Sequence, residues 1–229
     1  MSAGGFGFIV DDRAPDKVAA GGAPAFAAKL AETPCDESSH AANCRTCQLL
    51  GRPFACVGVI AAPIAARVEE WLVQRLPEDI ESVGGFLLRK AIGDFGYDGA
   101  RARALREAGR LAAPGPFERH YGPFFRRFVV SSEQVLEELL CAGDIAPSHA
   151  LAVLMHLQAI DVDGAVPTRL EDGDKLGALV EKPEERRART RCNVALDADG
   201  ELRPIQSMLH ALWAGFVLDC DVYVIDSEG

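Results

Sequence analysis

The sequence predicts an α+β fold, mainly α: a helical body, a small C-terminal β-hairpin and strand portion, and an N-terminal cysteine-rich loop. Three observations carry this expectation. Apolar residues recur at helical spacing through much of residues 64–160. Beyond residue 163, turn dipeptides and short alternating runs replace that period. Four of the seven cysteines fall between Cys35 and Cys56. The change of character near residue 162 separates a mainly helical 1–162 part from a smaller α+β 163–229 part, with one shared core as the alternative.

The bulk composition bounds the class. A chain of 229 residues, 48% hydrophobic and 25% charged, can bury roughly 70% of its unfolded surface without covalent staples. The formal net charge of -10 argues against a nucleic-acid binder, which needs a basic face, and against adsorption to anionic lipid. The start Met1-Ser2-Ala3-Gly4-Gly5-Phe6 has no basic region and no long apolar stretch before Asp11 and Asp12, so no signal peptide is expected. The longest apolar run, Phe54 to Ala66, contains Gly58 and Pro63 and is too short to span a bilayer. The expectation is a soluble, cytoplasmic, acidic protein, in which clustered thiols stay reduced and bind metal.

Taken in order, Gly7 to Asp11 (Gly-Phe-Ile-Val-Asp) is expected as a short strand stopped by charge. Val18 to Glu32 is Ala-rich and helical in part, interrupted by Gly21, Gly22 and Pro24. Pro63 marks a first helical turn, and the apolar positions 64, 68, 71, 72 and 76 predict an amphipathic helix over Ile64–Leu76. Pro77 stops it. A second helix is expected over Glu78–Ile92, with Gly84-Gly85 as a weak point or close-packing position. A glycine-rich loop over 93–99 leads to a third, Ala100–Ala112. Ser131 and Gln134 have capping-box spacing at the start of a fourth, Glu133–Leu140, which Gly143 ends. Pro147-Ser148 opens a fifth, His149–Ile160. Asp163-Gly164 and Asp172-Gly173 are turn signals. Cys192–Leu196 and Glu201–Ile205, flanking Asp197-Ala198-Asp199-Gly200, predict a β-hairpin. Gln206–Phe216 reads as a helix and Asp221–Asp226 as a half-buried strand.

The strongest chemical signal is the pattern C-x8-C-x2-C-x8-C formed by Cys35, Cys44, Cys47 and Cys56. A metal needs several thiolates converging on one point. Cys44 and Cys47 supply two from one tight turn, and each eight-residue gap is short enough to close at low entropic cost. Structural zinc sites commonly use two C-x2-C knuckles, and only one is present. Single, widely spaced ligands suit the corners of a [4Fe–4S] cube. Zinc is the alternative metal, and a disulfide set the alternative without metal. The single-pair-single layout of these cysteines resembles the cluster loop of the endonuclease III family of DNA glycosylases, whose gaps are somewhat shorter. The resemblance covers this loop alone. It implies a cluster; without a helix-hairpin-helix motif, and with the opposite charge, it does not extend to DNA repair. Apolar residues after Cys47, from Leu49 to Ile60, could shield such a cluster or form ordinary core.

Arg101, Arg103, Arg106, Arg110, Arg119, Arg126 and Arg127 face only Glu107 and Glu118 within residues 100–127, a local balance of +5. Aromatics Phe117, Tyr121, Phe124, Phe125 and Phe128 lie among them. This pattern can form an anion site or a docking face, with Arg119, His120, Arg126 and Arg127 as the contact residues. Alternatively, the arginines pair with the surplus carboxylates of the chain itself. His149 and His156 share a helical face but sit too far apart for one metal, and His40 is read as a solvated loop residue. Asp161-x-Asp163-Gly164 and Asp197-x-Asp199-Gly200 lack the other ligands of an EF-hand. Cys141, Cys192 and Cys220 read as buried small hydrophobes. No nucleotide-binding or hydrolase motif is present.

The functional expectation is one [4Fe–4S] cluster held by Cys35, Cys44, Cys47 and Cys56, serving electron transfer, redox sensing or a subunit of a redox complex, with a protein partner and no nucleic acid or membrane. The alternative is a structural-zinc adaptor docking through residues 101–128. An enzyme site built from His120, Asp94, Asp98 and the arginines has no motif behind it.

Overall fold

The computed structural model describes residues 4–10, 57–122, 127–197 and 200–227. In chain order these form β1 (Gly5–Val10), β2 (Val57–Ala61), α1 (Ala66–Gln74), α2 (Val83–Asp94), α3 (Ala100–Glu107), β3 (Glu118–Tyr121), β4 (Phe128–Ser131), α4 (Ser132–Leu140), β5 (Asp144–Ile145), α5 (Pro147–His156), β6 (Ile160–Val162), α6 (Gly173–Glu181), α7 (Pro183–Arg189), β7 (Thr190–Cys192), α8 (Arg203–Leu218) and β8 (Val222–Ser227). About half of the described residues are helical, and every strand pairing is antiparallel. The fold is therefore mixed α and β. The cysteine-rich loop lies outside the described residues.

Two compact units divide the chain, each assembled from non-consecutive stretches. The first comprises residues 1–62, 143–151 and 194–229. Its sheet has the order β2-β1-β8-β5, with Phe6 opposite both Ile60 and Asp226. All six residues of β1 are buried, as expected for an apolar strand at the centre of a sheet. Helix α8 packs on β1, β2 and β8, burying Leu209, Leu212 and Phe216 completely. Each such side chain contributes roughly 1.5–3 kcal/mol. Close approach depends on Gly215: a Cβ there would sit 2.8 Å from both Cys220 O and a Val222 methyl.

The second unit comprises residues 63–142 and 152–193. It holds α1 to α4, α6, α7, the second half of α5 and two small ribbons, β3–β4 and β6–β7. Leu72, Leu76, Leu88, Leu136, Leu139 and Leu154 fill its core. The capping box at α4 is present: the Ser131 hydroxyl accepts from Gln134 N, and the Gln134 side chain accepts from Ser131 N.

Several elements differ from expectation. Pro63 is not in a helical turn; Ile64 bridges to Leu111 and α1 starts two residues later. Helix α2 begins at Val83, because the Ser82 hydroxyl caps it by accepting from Gly85 N at 3.1 Å; Gly84-Gly85 is its first turn, a close-packing position. Helix α3 stops at Glu107 ahead of Gly109, whose φ is +73°. Residues 160–162 are strand rather than the end of α5. Asp172-Gly173 joins a 3-10 turn to α6 and makes no reversal. The hairpin expected over 192–205 is absent: β7 pairs with β6 instead, and Pro204 occupies the first turn of α8, a position proline favours. The expected segment Val18–Glu32 falls outside the described residues.

Candidate functional site

Cys35, Cys44, Cys47 and Cys56, together with His40 and Arg126, lie outside the described residues. What the structure does describe is the chain on either side. β1 ends at Val10 and β2 begins at Val57, and Ile9 pairs with Val57 across the ladder. Cys56 is thus the residue immediately before a strand held in a four-stranded sheet. Cys141, Cys192 and Cys220 are of intermediate burial. Among the described residues, no group of three or more His, Cys, Asp or Glu side chains converges as a metal site.

The arginine-rich segment divides into two sets. Arg101, Arg103 and Arg106 lie on α3 and pair inward with glutamates of α1 and α4. Arg106 Nη2 meets Glu69 Oε2 at 2.5 Å and its Nε meets Glu133 Oε1 at 2.8 Å, while Nη1 donates to Ala113 O at 2.6 Å. Arg101 Nε lies 2.8 Å from Glu137 Oε1, and Arg103 Nε lies 3.4 Å from Glu133 Oε2. The Ser132 hydroxyl donates to Glu69 at 2.7 Å, and Gly99 N donates to Glu137 at 2.5 Å. Glu69 is fully buried, and Glu133 and Glu137 nearly so. Such charges stay ionised inside a protein only when paired and hydrogen-bonded. Burial by itself lowers the Arg106 pKa, but the hydrogen bonds to Glu69 and Glu133 outweigh it and raise the value. The hydrogen bond to Glu137 raises that of Arg101. Pairing with the chain's own carboxylates is therefore the observed arrangement for these three.

Arg119, His120 and Arg127 form the other set. Arg119 and His120 lie on β3, opposite Val130 and Val129 of β4. Arg119 is half-buried and its Nη1 donates to Leu76 O. His120 is exposed, with Nε2 at 3.4 Å from Glu118 Oε2, and Arg127 is exposed just ahead of β4. Of the segment's described aromatics, Phe117 and Phe128 are half-buried and Tyr121 is buried; its hydroxyl donates to Pro77 O at 2.8 Å, and burial raises its pKa.

Arg119 also lines a cleft of about 460 Å³. The floor includes Leu76, Pro77 and Met155; the polar wall includes Ser82, Gln158 and Arg169. Gln158 is held at a φ of +49°, and its Nε2 donates to Arg75 O and Leu76 O at 3.1 and 3.2 Å. Arg75 returns the contact, donating to Leu157 O and Gln158 O at 2.9 and 2.6 Å, and burial lowers its pKa. These four bonds tie the end of α1 to the turn after α5. Sequence reasoning missed the cleft as a whole, because its residues come from four separate stretches; of its lining, Gly84 and Arg119 were singled out, each for a different reason.

Two further placements bear on function. His156 is fully buried, with Nε2 2.8 Å from Glu138 Oε2. The contact lacks hydrogen-bond alignment, and neither ring nitrogen has a hydrogen-bond partner among the described residues. Asp94 and Asp98 do not gather around His120: Asp94 pairs with Lys90 at 2.7 Å, and Asp98 accepts from Ala100 N at 2.8 Å. Among the described residues, no helix is long and apolar enough to cross a membrane. Comparison with known proteins finds no matching family model, no matching curated protein and no matching solved structure.

Proposed function

We propose that the protein is a metal-thiolate protein holding one [4Fe–4S] cluster through Cys35, Cys44, Cys47 and Cys56, in electron transfer, redox sensing or as a subunit of a redox complex. The single observation that carries this reading is the C-x8-C-x2-C-x8-C layout, with one ligand pair where structural zinc commonly uses two. Two placements support it. Cys56 directly precedes Val57, whose backbone is paired in the sheet, so the last ligand adjoins a fixed element. The three remaining thiols are half-buried in other parts of the fold. A bound cluster would supply one-electron chemistry, at a potential set by burial and hydrogen bonding to its sulfurs. Anaerobic purification followed by an absorption spectrum and iron and sulfide analysis tests the reading. A brown protein with four irons and four sulfides per chain is expected; a colourless chain carrying one zinc would overturn it.

The second reading is a structural-zinc adaptor that meets a protein partner through its arginine–aromatic segment. The observation favouring it is the division of that segment: Arg101, Arg103 and Arg106 are consumed internally, which narrows a docking face to Arg119, His120, Arg126 and Arg127. Reversing Arg126 and Arg127 to glutamate would then abolish capture of a partner. Unchanged capture would count against it.

A further inference from the structure

The four-stranded sheet of the first unit ends differently on its two sides. An edge strand presents unpaired N–H and C=O groups to any other strand, and proteins blunt such edges by shortness, charge or proline. The β5 edge is blunted: it is two residues long and begins with the exposed Asp144. The β2 edge is five residues, Val57-Gly58-Val59-Ile60-Ala61, with no charge and no proline. Its register against β1 runs from Val57 to Ala61 without a bulge. Ala62 N donates to Gly4 O, so by the alternation of an antiparallel ladder Ile60 and Gly58 bond to β1. Val57, Val59 and Ala61 turn their N–H and C=O groups outward, and these groups have no hydrogen-bond partner among the described residues. The approach is open as well. Ala61 is exposed, and Gly58 and Val59 are half-buried. No side chain stands at Gly58, where a Cβ would collide with the Phe8 ring. A bay of about 200 Å³ lies between β2 and the start of α8, lined in part by Val59, Pro204 and Ser207.

We infer that β2 pairs antiparallel with β2 of a second copy of this chain, joining two four-stranded sheets into one. The strand is complementary to itself, which selects a copy as the partner. In the register centred on Val59, that residue meets Val59 of the copy, and the two exchange both backbone bonds. Val57 meets Ala61 of the copy, and Ala61 meets its Val57, so every outward group of the strand is matched. Opposed β-branched side chains favour such a pair, and no like charges meet. Slipping the register by one residue sets outward groups against groups already bonded to β1; slipping by two leaves one pair unmatched. The contact is two-fold symmetric, the commonest arrangement in homodimers. It uses five residues a side, where a standard interface has about 20–30, so the association is weak and reversible.

Amide hydrogen exchange of the full chain, read by NMR at low and high protein concentration alongside sedimentation velocity, tests the inference. The chain is expected to pass from monomer to dimer as concentration rises. The Val57, Val59 and Ala61 amides should slow their exchange at least about tenfold over the same range. Val59→Pro deletes an outward N–H that β1 does not use, a change edge strands tolerate. Val59→Lys sets like charges opposite each other. Each variant is expected to weaken association at least about tenfold while the circular dichroism spectrum stays unchanged. The exchange measurement on the unaltered chain decides the matter even where a variant fails to fold. A chain that stays monomeric at every concentration overturns the inference. So does a dimer whose Val57, Val59 and Ala61 amides exchange as fast as in the monomer, or one that both folded variants leave intact. Slow exchange of those amides already in the monomer would mean that this chain covers its own edge, and also overturns it.

Discussion

Replacing Arg106 with methionine tests whether the buried charge network holds the second unit together. Arg106 serves two carboxylates at once, with bonds of 2.5 and 3.2 Å to Glu69 and 2.8 Å to Glu133. The Glu69 side chain is 0% exposed and that of Glu133 5%. Methionine keeps the apolar stem and deletes the charge. Glu133 retains Arg103 at 3.4 Å, but among the described residues Glu69 keeps only the Ser132 hydroxyl. Removing one partner of a buried pair costs about 3–5 kcal/mol, a large share of the 5–15 kcal/mol typical of a whole domain. At about 2–4 °C per kcal/mol, the midpoint should fall by roughly 10 °C. The chain has two tryptophans, and Trp71 lies on α1 two residues from Glu69. Urea unfolding followed by fluorescence in a Trp213→Phe background therefore reports on this unit. Glu69→Gln in the Arg106→Met background should recover part of the loss by removing the stranded charge. A single variant within about 1 kcal/mol of its parent would refute the reasoning, as would a double variant no more stable than the single one.

Other expectations follow from the same geometry. Burial, then the charges of Asp144 and Asp219, raise the Asp221 pKa, so the folded state holds that proton more tightly than the unfolded chain does. Its ionised form thus costs stability above the folded pKa, and Asp221→Asn should stabilise at pH 7. That gain should vanish below about pH 4, where both states are protonated; chemical denaturation at the two pH values measures it. Asp161 has the opposite sign. Burial alone would raise its pKa, but hydrogen bonds from Asn193 and Arg191 outweigh this and lower it. Its stabilisation is present above the unfolded value near 3.9 and is lost as pH falls through the folded one. Asp161→Asn should therefore destabilise at pH 7 and lose its effect in strong acid. Gly84→Ala should destabilise by about 1–3 kcal/mol despite alanine's better helix propensity, because its Cβ would sit 2.9 Å from Met155 O; a higher urea midpoint would contradict this.

Local signals were legible in the sequence and assembled ones were not. The Ser131–Gln134 capping box, the strand ending the chain and the helices of the middle region follow from short-range pattern, and each is present. The failed hairpin shows the limit. Asp197-Ala198-Asp199-Gly200 has turn chemistry, yet Pro204 removes a ladder donor and suits the first turn of a helix. Gln206, on that helix, accepts from Asp197 N at 2.6 Å, a contact no strand pairing anticipates. The glutamates of α4 mislead in a different way. Periodicity places charge on a solvated face, but Glu133, Glu137 and Glu138 are buried, because α3 brings arginines and α5 brings His156 to them. Pairing across such separations leaves no local trace. The cleft is a stronger case of the same kind, since Arg119 and Arg169 are 50 positions apart.

Metal content across the seven cysteine variants tests the central claim most directly. Each cysteine would be replaced singly by serine, purified anaerobically and assayed for iron, sulfide and zinc. Cys35→Ser, Cys44→Ser, Cys47→Ser and Cys56→Ser are expected to lose iron and sulfide together, while Cys141→Ser, Cys192→Ser and Cys220→Ser keep the parent's content. Zinc in place of iron, or iron retained by all four of the first set, would contradict it.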